Sequence, residues 1–273
     1  MKNHAFSPPA IAILGPTGAG KSALAEALAD RLECRILNAD AFQVYRGLDI
    51  GTAKPVMKER YELLDILNPD EPFSVGEFLQ RAIPLLNREW KASRAAIVCG
   101  GTGLYVRALF EEFEGLAPPA PPSLRSRLNR EIGAWGIASF AERYGLDLRA
   151  LPESDRVNPV RVVRAVERRL LERERASLPD LPWHSRRFKF ALQIEREALK
   201  RRLAERLDAM LAAGWVEEVE TLLRQYPEEA LAFRSIGYRE IAKVIQGLMS
   251  LQEARSEILA RTWSYARRQM TWL

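Results

Sequence analysis

The stretch GPTGAGKS, Gly15 to Ser22, constrains this chain more than any other. It follows the apolar run Ile11-Ala12-Ile13-Leu14 and precedes the helix-prone Ala23 to Ala29. A strand, then G-x-x-x-x-G-K-[ST], then a helix is the pattern of a loop that cradles phosphate. Gly15, Gly18 and Gly20 let the backbone bend so that successive N–H groups face an anion, and the helix start adds its positive end. Pro16, Thr17 and Ala19 complete the loop. Lys21 supplies a mobile cation for a terminal phosphate, and Ser22 a hydroxyl for Mg²⁺. The loop does not say what the phosphate is attached to. A purine triphosphate, a monophosphate kinase pair and a prenyl diphosphate all fit.

Short apolar runs alternate with amphipathic stretches in the first third of the chain, the pattern of βαβ units and a parallel sheet. The predicted strands are Ala10 to Leu14, Arg35 to Ala39, Ala95 to Cys99 and Phe188 to Ile194. About ninety residues of helical character separate the last two, broken by APPAPP at Ala117 to Pro122 and LPDLPW at Leu178 to Trp183. Proline cannot donate to a ladder or continue a helix, so these clusters mark boundaries. The expected organisation is a sheet core, 1–117 with 186–273, and a helical insertion, 118–185. After the fourth strand the chain reads as helical: Leu199, Leu203, Leu207, Met210 and Leu211 repeat at three and four residues, and Gly214 marks a stop.

Two cysteines, Cys34 and Cys99, are too few for a disulfide framework or a metal cluster and read as core residues in strand-like segments. No run of about 18 apolar residues and no leader-like apolar stretch occurs, which predicts a cytoplasmic protein. The net charge of +5 is modest, but it is unevenly placed. Residues 120–189 hold 15 Lys and Arg, fourteen of them Arg, against 9 Asp and Glu. Such a surface is either a solvated helical face or the footprint of a polyanion.

Two further strand ends carry chemistry. Asp40, in NADAFQVYRGLDIGTAKP, falls at the C-terminal end of the second strand, where open α/β sheets bind their ligands. There it can hold Mg²⁺ water, accept a proton, or cap a following helix. Gly47, Gly51 and Lys54 form the loop beyond it. In CGGTGLYVRAL a strand ends in Gly100-Gly101, Thr102 supplies a hydroxyl and a helix begins. Arginines recur in NPVRVVRAVERR (Arg161, Arg164, Arg168, Arg169), in FRSIGYRE (Arg234, Tyr238, Arg239) and in TWSYARRQMTW (Arg267, Arg268). The last also carries Trp263, Tyr265, Gln269 and Trp272. Arginine beside aromatic rings suits RNA, although Trp263 and Trp272 fit a core equally well.

Taken in order, GPTGAGKS, DAFQVYRGLDIGTAKP, GGTGLY, NPVRVVRAVE, RSIGYRE and RRQMTW resemble the tRNA dimethylallyltransferases, or tRNA isopentenyltransferases, over nearly the whole length. The resemblance implies an α/β fold, a P-loop NTPase-like parallel sheet flanked by helices, with a helical insertion domain. It implies transfer of a dimethylallyl group from dimethylallyl diphosphate to N6 of the adenosine 3′-adjacent to the anticodon, with Mg²⁺. On that reading Asp40 matches the general base and Thr102 the residue that bonds the bridging oxygen. Gly15 to Ser22 clamp the leaving diphosphate, with Arg206 as a further contact. Contacts to the tRNA anticodon stem-loop carry over onto Asp40, Ala41, Phe42, Gln43, Thr102, Arg125, Val160, Arg161, Val162, Val163, Arg164, Arg234, Ser235, Ile236, Gly237, Tyr238 and Arg239. A monomer is expected.

The chain departs from that pattern in three places: Ala41 where a Ser is usual, Tyr61 and Glu62 where a His commonly precedes LLDI, and an end at Leu273 just after TW. The rival readings are a small-molecule P-loop kinase, an NTP-gated RNA-binding protein, and a relative that prenylates free adenine nucleotides. ATP consumption separates the first. The arginine-rich insertion speaks against the last, because a mononucleotide needs no such surface.

Overall fold

A computed structural model describes residues 8–111, 120–171 and 186–271. Two compact units divide the chain: 1–112 with 181–273, and 113–180. The segment 178–183, the first residues of the APPAPP cluster, and Trp272 and Leu273 lie outside the described residues.

In the first unit β1 (Ala10–Leu14) leads into α1 (Lys21–Leu32), then β2 (Ile36–Asn38), β3 (Tyr61–Glu62), α2 (Val75–Lys91), β4 (Ala96–Cys99) and α3 (Gly103–Phe110). The second unit holds α4 (Pro122–Arg143), α5 (Glu153–Arg156) and α6 (Pro159–Leu170). The chain returns to the first unit with β5 (Arg187–Ala191), α7 (Arg196–Ala212), α8 (Trp215–Gln225), α9 (Tyr238–Ile245) and α10 (Leu251–Met270). The five strands form one parallel sheet in the order β3-β2-β4-β1-β5.

Strands β1, β2 and β4 are buried along their whole length and are continuous apolar runs, as parallel strands covered on both faces must be. On one face Ala25 and Ala29 of α1 pack against Ile11, Ile13, Ile36, Ile97 and Cys99. Small residues on α1 let its axis lie close to the sheet, which fixes where its N-terminus points. Helices α7 to α10 build a second core with the loop after β2, in which Val44, Tyr45, Leu48, Leu207, Trp215, Val219, Phe233, Tyr238 and Ile258 are buried. The loop bearing Asp40 is thus held between the sheet and this helical layer.

Three local expectations change. A fifth strand, β3, was not expected; it is only two residues long and has no alternation to read. Strand β5 is an edge strand with every residue exposed, and it ends at Ala191. Cys34 is half-buried and precedes β2, whereas Cys99 is buried at the end of β4. Burial pushes the Cys99 thiol up to about 12, so it is a packing group at neutral pH.

In the second unit, Leu128, Ile132 and Phe140 of α4 pack against Val162, Val163 and Val166 of α6. Helix α4 breaks at Gly136, whose φ of 72° only glycine adopts easily. Among the described residues no helix is long and apolar enough to cross a membrane.

Candidate active site

The sheet's C-terminal edge brings three strand ends together. After β1, Gly15, Gly18 and Gly20 take φ of 142°, 84° and 92°, and Gly20 caps α1 in the left-handed region. Thr17, Gly18, Gly20, Lys21 and Ser22 line a cavity of about 290 Å³. Gly15 and Pro16 are buried beneath it, and Ala19 is outside its wall. Lys21 Nζ is less mobile than its sequence suggests, since it donates to the carbonyls of Gly15 and Pro16 at 3.0 and 2.9 Å.

Asp40, at the end of β2, lines the same cavity. Its Oδ1 accepts from the Phe42 N–H at 2.9 Å and the Gln43 N–H at 3.4 Å. No helix follows, so the carboxylate caps a turn; the helix-cap reading is corrected to that extent. Thr102 Oγ1 accepts from the Ala41 N–H at 3.0 Å, and the Thr102 N–H donates to the Ala39 carbonyl at 3.0 Å. The hydroxyl hydrogen of Thr102 is left to donate elsewhere. Ala41 therefore contributes its backbone to this junction.

Gly100 and Gly101 are there for close approach. A Cβ on Gly100 would lie 2.2 Å from the backbone carbon of Ala39. On Gly101 it would lie 2.8 Å from Gln269 Nε2, 2.9 Å from Asp40 Oδ2 and 3.0 Å from the Tyr265 hydroxyl. Only a missing side chain lets these three groups converge.

Arg206 of α7 reaches the phosphate loop from the helical layer and donates to Thr17 Oγ1 at 2.8 Å. Burial lowers the pKa of Arg206. Lys21 is also lowered, chiefly by burial, with the charge of Asp40 opposing and that of Arg206 adding to the shift. Two cations largely withdrawn from water beside each other, Lys21 at the start of α1 and Arg206 on α7, suit a multiply charged anion.

A second cavity, of about 330 Å³, shares Thr17, Asp40, Thr52, Ala53, Arg206 and Tyr265 with the first. Its remaining wall is apolar, from Phe42, Leu203, Leu207, Met210, Trp215, Ile236 and Ile258, with Arg234, Arg261 and Arg268 also lining it. Asp40 thus stands on the wall common to a polar chamber and a mostly apolar one.

Other residues expected at the site divide sharply. Gln43 lines the first cavity and donates to the carbonyls of Thr52 and Ala53, while Arg234, Ser235 and Ile236 line the second. Arg239 is exposed. Gly237 and Tyr238 are both buried. A Cβ on Gly237 would meet the Trp215 ring at 2.1 Å. The Tyr238 hydroxyl donates to Glu218 Oε1 at 2.7 Å. That carboxylate also accepts from the N–H groups of Asp49, Ile50 and Gly51, so it anchors the loop that lines both cavities. Lys54 likewise serves the fold: its buried ammonium bridges Asp49 and Asp65 at 2.7 and 2.5 Å.

In the second unit, Asn158 caps α6 by accepting from the N–H groups of Val160 and Arg161, and Pro159 opens the helix. Val160 and Arg161 are exposed. The helical period turns the side chains of Val162 and Val163 into the core of this unit. Arg125 and Arg164 both pair with the buried Glu167, Arg125 through two nitrogens at 2.8 and 3.2 Å and Arg164 at 2.9 Å. Glu167 therefore holds two of the expected contact arginines in place.

Gln269 and Tyr265, read from sequence as partner-facing residues of TWSYARRQMTW, line the first cavity. Trp263 is half-buried against Leu199, Leu203 and Ala266, with Arg196 and Lys200 over its ring at 5.6 and 5.5 Å.

The family model described as IPP transferase matches residues 43–273, and the one described as isopentenyl transferase matches residues 9–72. The tRNA dimethylallyltransferase of Syntrophobacter fumaroxidans is 40% identical, covering 97% of this chain and 80% of its own length. That of Thermus thermophilus is 40% identical, covering 95% and 87%. The crystal structure of a full-length tRNA isopentenylpyrophosphate transferase from Bacillus halodurans superposes with a TM-score of 0.68 at 30% identity, covering 97% of this chain and 86% of that one. A eukaryotic dimethylallyltransferase acting on tRNA shares the fold, with a TM-score of 0.72 at 21% identity, covering 97% and 70%. The P-loop NTPase-like sheet, the strand-end cluster and these matches agree: the chain belongs to the IPP transferase family, that of the tRNA dimethylallyltransferases, and is a prenyltransferase.

Proposed function

We propose that the chain transfers the dimethylallyl group of dimethylallyl diphosphate to N6 of the adenosine 3′-adjacent to the anticodon of a tRNA. The observation that carries this reading is the position of Asp40 on the wall shared by the two cavities, one lined by Lys21 and the phosphate loop, the other mostly apolar, with Arg206 lining both. The diphosphate takes the polar chamber, where Gly15 to Ser22 and Arg206 stabilise it as it leaves. The prenyl chain and the adenine meet at the common wall. The N6 lone pair attacks the allylic C1, the C1–O bond to the diphosphate breaks, and Asp40 takes the proton released from N6. Thr102, whose oxygen already accepts from Ala41, donates its hydroxyl hydrogen to the bridging oxygen.

Mg²⁺ fits this donor set. Among the described residues no group of three or more His, Cys, Asp or Glu could hold a metal ion. The Ser22 hydroxyl, on the wall of the cavity that takes the diphosphate, suits an ion that keeps most of its waters and would take the rest of its shell from phosphate. When bound, it neutralises charge on the leaving diphosphate. Exposed Val160, Arg161 and Arg239 and the cavity-lining Arg234 are the residues through which the tRNA stem-loop is gripped, in the cytoplasm.

Incubation with unmodified tRNA and radiolabelled dimethylallyl diphosphate, with and without ATP, tests the reading. Label should enter the tRNA at the same rate in both. Phosphoryl transfer or ATP hydrolysis without labelled tRNA would sink it.

A further inference from the structure

Helix α10 ends against the catalytic edge through one side chain. Gln269 is 6% exposed, and its amide bridges two loops that are far apart in sequence. Its Oε1 accepts from the Thr17 N–H at 2.7 Å, and its Nε2 donates to the Gly101 carbonyl at 2.8 Å. The partners fix the amide's orientation, because an N–H needs an acceptor and a carbonyl needs a donor. Tyr265, one turn earlier, donates to the same Gly101 carbonyl at 2.9 Å.

Thr17 is a member of the phosphate-cradling loop, yet its backbone N–H is turned to Gln269 and its hydroxyl oxygen to Arg206. Gly101 lies between Thr102 and the strand β4, and its Cα faces Asp40 Oδ2. The amide therefore spans the loop that holds the leaving group and the segment that holds the base.

We infer that Gln269 is a positioning residue that sets the spacing between the diphosphate loop and the Asp40–Thr102 junction, and so the alignment of leaving group, allylic carbon and base. The inference rests on the prenyl-transfer reading above. In this scheme Gln269 acts through the Thr17 N–H and the Gly101 carbonyl to which its amide is bonded. An in-line displacement is sensitive to such spacing: a shift of about 1 Å costs on the order of 10²-fold in rate.

Gln269→Met tests this, because it keeps the length and packing of the side chain and removes both hydrogen bonds. Wild type and variant are compared by steady-state prenyl transfer to tRNA, by calorimetric titration with inorganic pyrophosphate, and by thermal melting. The expected result is a kcat lowered on the order of 10²-fold, with KM for dimethylallyl diphosphate and pyrophosphate affinity within about threefold of wild type. If Gln269→Met does not fold, Gln269→Asn carries the same test, since it keeps a neutral amide one methylene too short to hold both Thr17 and Gly101; it too should lose kcat with pyrophosphate affinity kept. A kcat within about threefold of wild type, or a loss of pyrophosphate affinity that accounts for the whole loss of rate, would overturn the inference. A wild type that labels no tRNA would instead overturn the prenyl-transfer reading and this one with it.

Discussion

The strand-end loops of the sheet and helix α6 of the second unit use their polar residues in opposite ways. At the strand ends the functional groups are drawn inward and cross-braced: Lys21 on the Gly15 and Pro16 carbonyls, Arg206 on Thr17, Asp40 on Phe42, and Thr102 on Ala41. Along α6 Val162, Val163 and Val166 are buried and Arg161, Arg168 and Arg169 are exposed, while the buried Glu167 gathers Arg125 and Arg164. A site for chemistry needs fixed distances, and backbone loops braced from several elements supply them. A surface for a polyanion needs only charge density, which one face of a helix provides.

That contrast can be pushed hardest at Gly100. Gly100→Ala forces a methyl to within 2.2 Å of the Ala39 backbone, and backbone has no rotamer through which to yield. The expected loss of stability is at least about 3 kcal/mol, read by denaturant unfolding. One residue on, Gly101→Ala meets side chains that can move, at 2.8 to 3.0 Å, so the sheet should survive. The displaced groups are Asp40, Tyr265 and Gln269, and prenyl transfer should fall on the order of 10²-fold in single-turnover kinetics.

In the second unit the same contrast is sharpened by adjacent residues. Val162→Ala removes buried methyl groups and should cost that unit about 2 kcal/mol, while leaving the salt dependence of tRNA binding alone. Arg161→Ala should do the reverse, lowering the slope of log K against log salt by about one unit with no change in stability. A smaller effect is expected at Asp49. Burial would raise its carboxyl, but hydrogen bonds and charge from Lys54 and Lys58 outweigh burial and hold it below the ordinary carboxylate value. A depressed folded value stabilises the protein above the unfolded pKa, and the contribution is lost as pH falls through the folded value. Melting temperature should therefore drop more between about pH 5 and pH 3 in wild type than in Asp49→Asn. The difference should correspond to less than about 1 kcal/mol, since Asp49 is 46% exposed and screened by water.

The parts of this molecule that were legible in sequence are those whose chemistry is local. The Gly15 to Ser22 spacing, the apolar runs at Ala10, Arg35 and Ala95, and the carboxylate after the second strand each depend on a few neighbouring residues, and the strands and loops lie where those neighbours put them. What was not legible depends on which helix packs against which loop. Gln269 meets Thr17 across 252 positions, and its Gln-after-Arg-Arg setting reads as an RNA-facing surface until α10 is seen to end on the sheet. Tyr238 sits between two arginines and shares their apparent exposure, yet Glu218 and Trp215 claim it for the core. Val162 and Val163 fall inside a motif of arginines, and the period of α6 sorts the letters into two roles. Lys54 reads in sequence only as a lysine of the loop; Asp49 and Asp65, on either side of β3, take its charge.

The account turns on Asp40 as the proton acceptor at the wall shared by the two cavities, and a single-turnover experiment with Asp40→Asn tests that most directly. Asparagine keeps the size and the Oδ1 that accepts from Phe42 and Gln43, but cannot take the proton. With enzyme in excess over tRNA and saturating labelled dimethylallyl diphosphate, the rate of prenyl transfer should fall at least roughly a hundredfold, with affinity for both substrates within a few-fold of wild type. A variant that transfers the prenyl group at a near-normal rate would contradict the account.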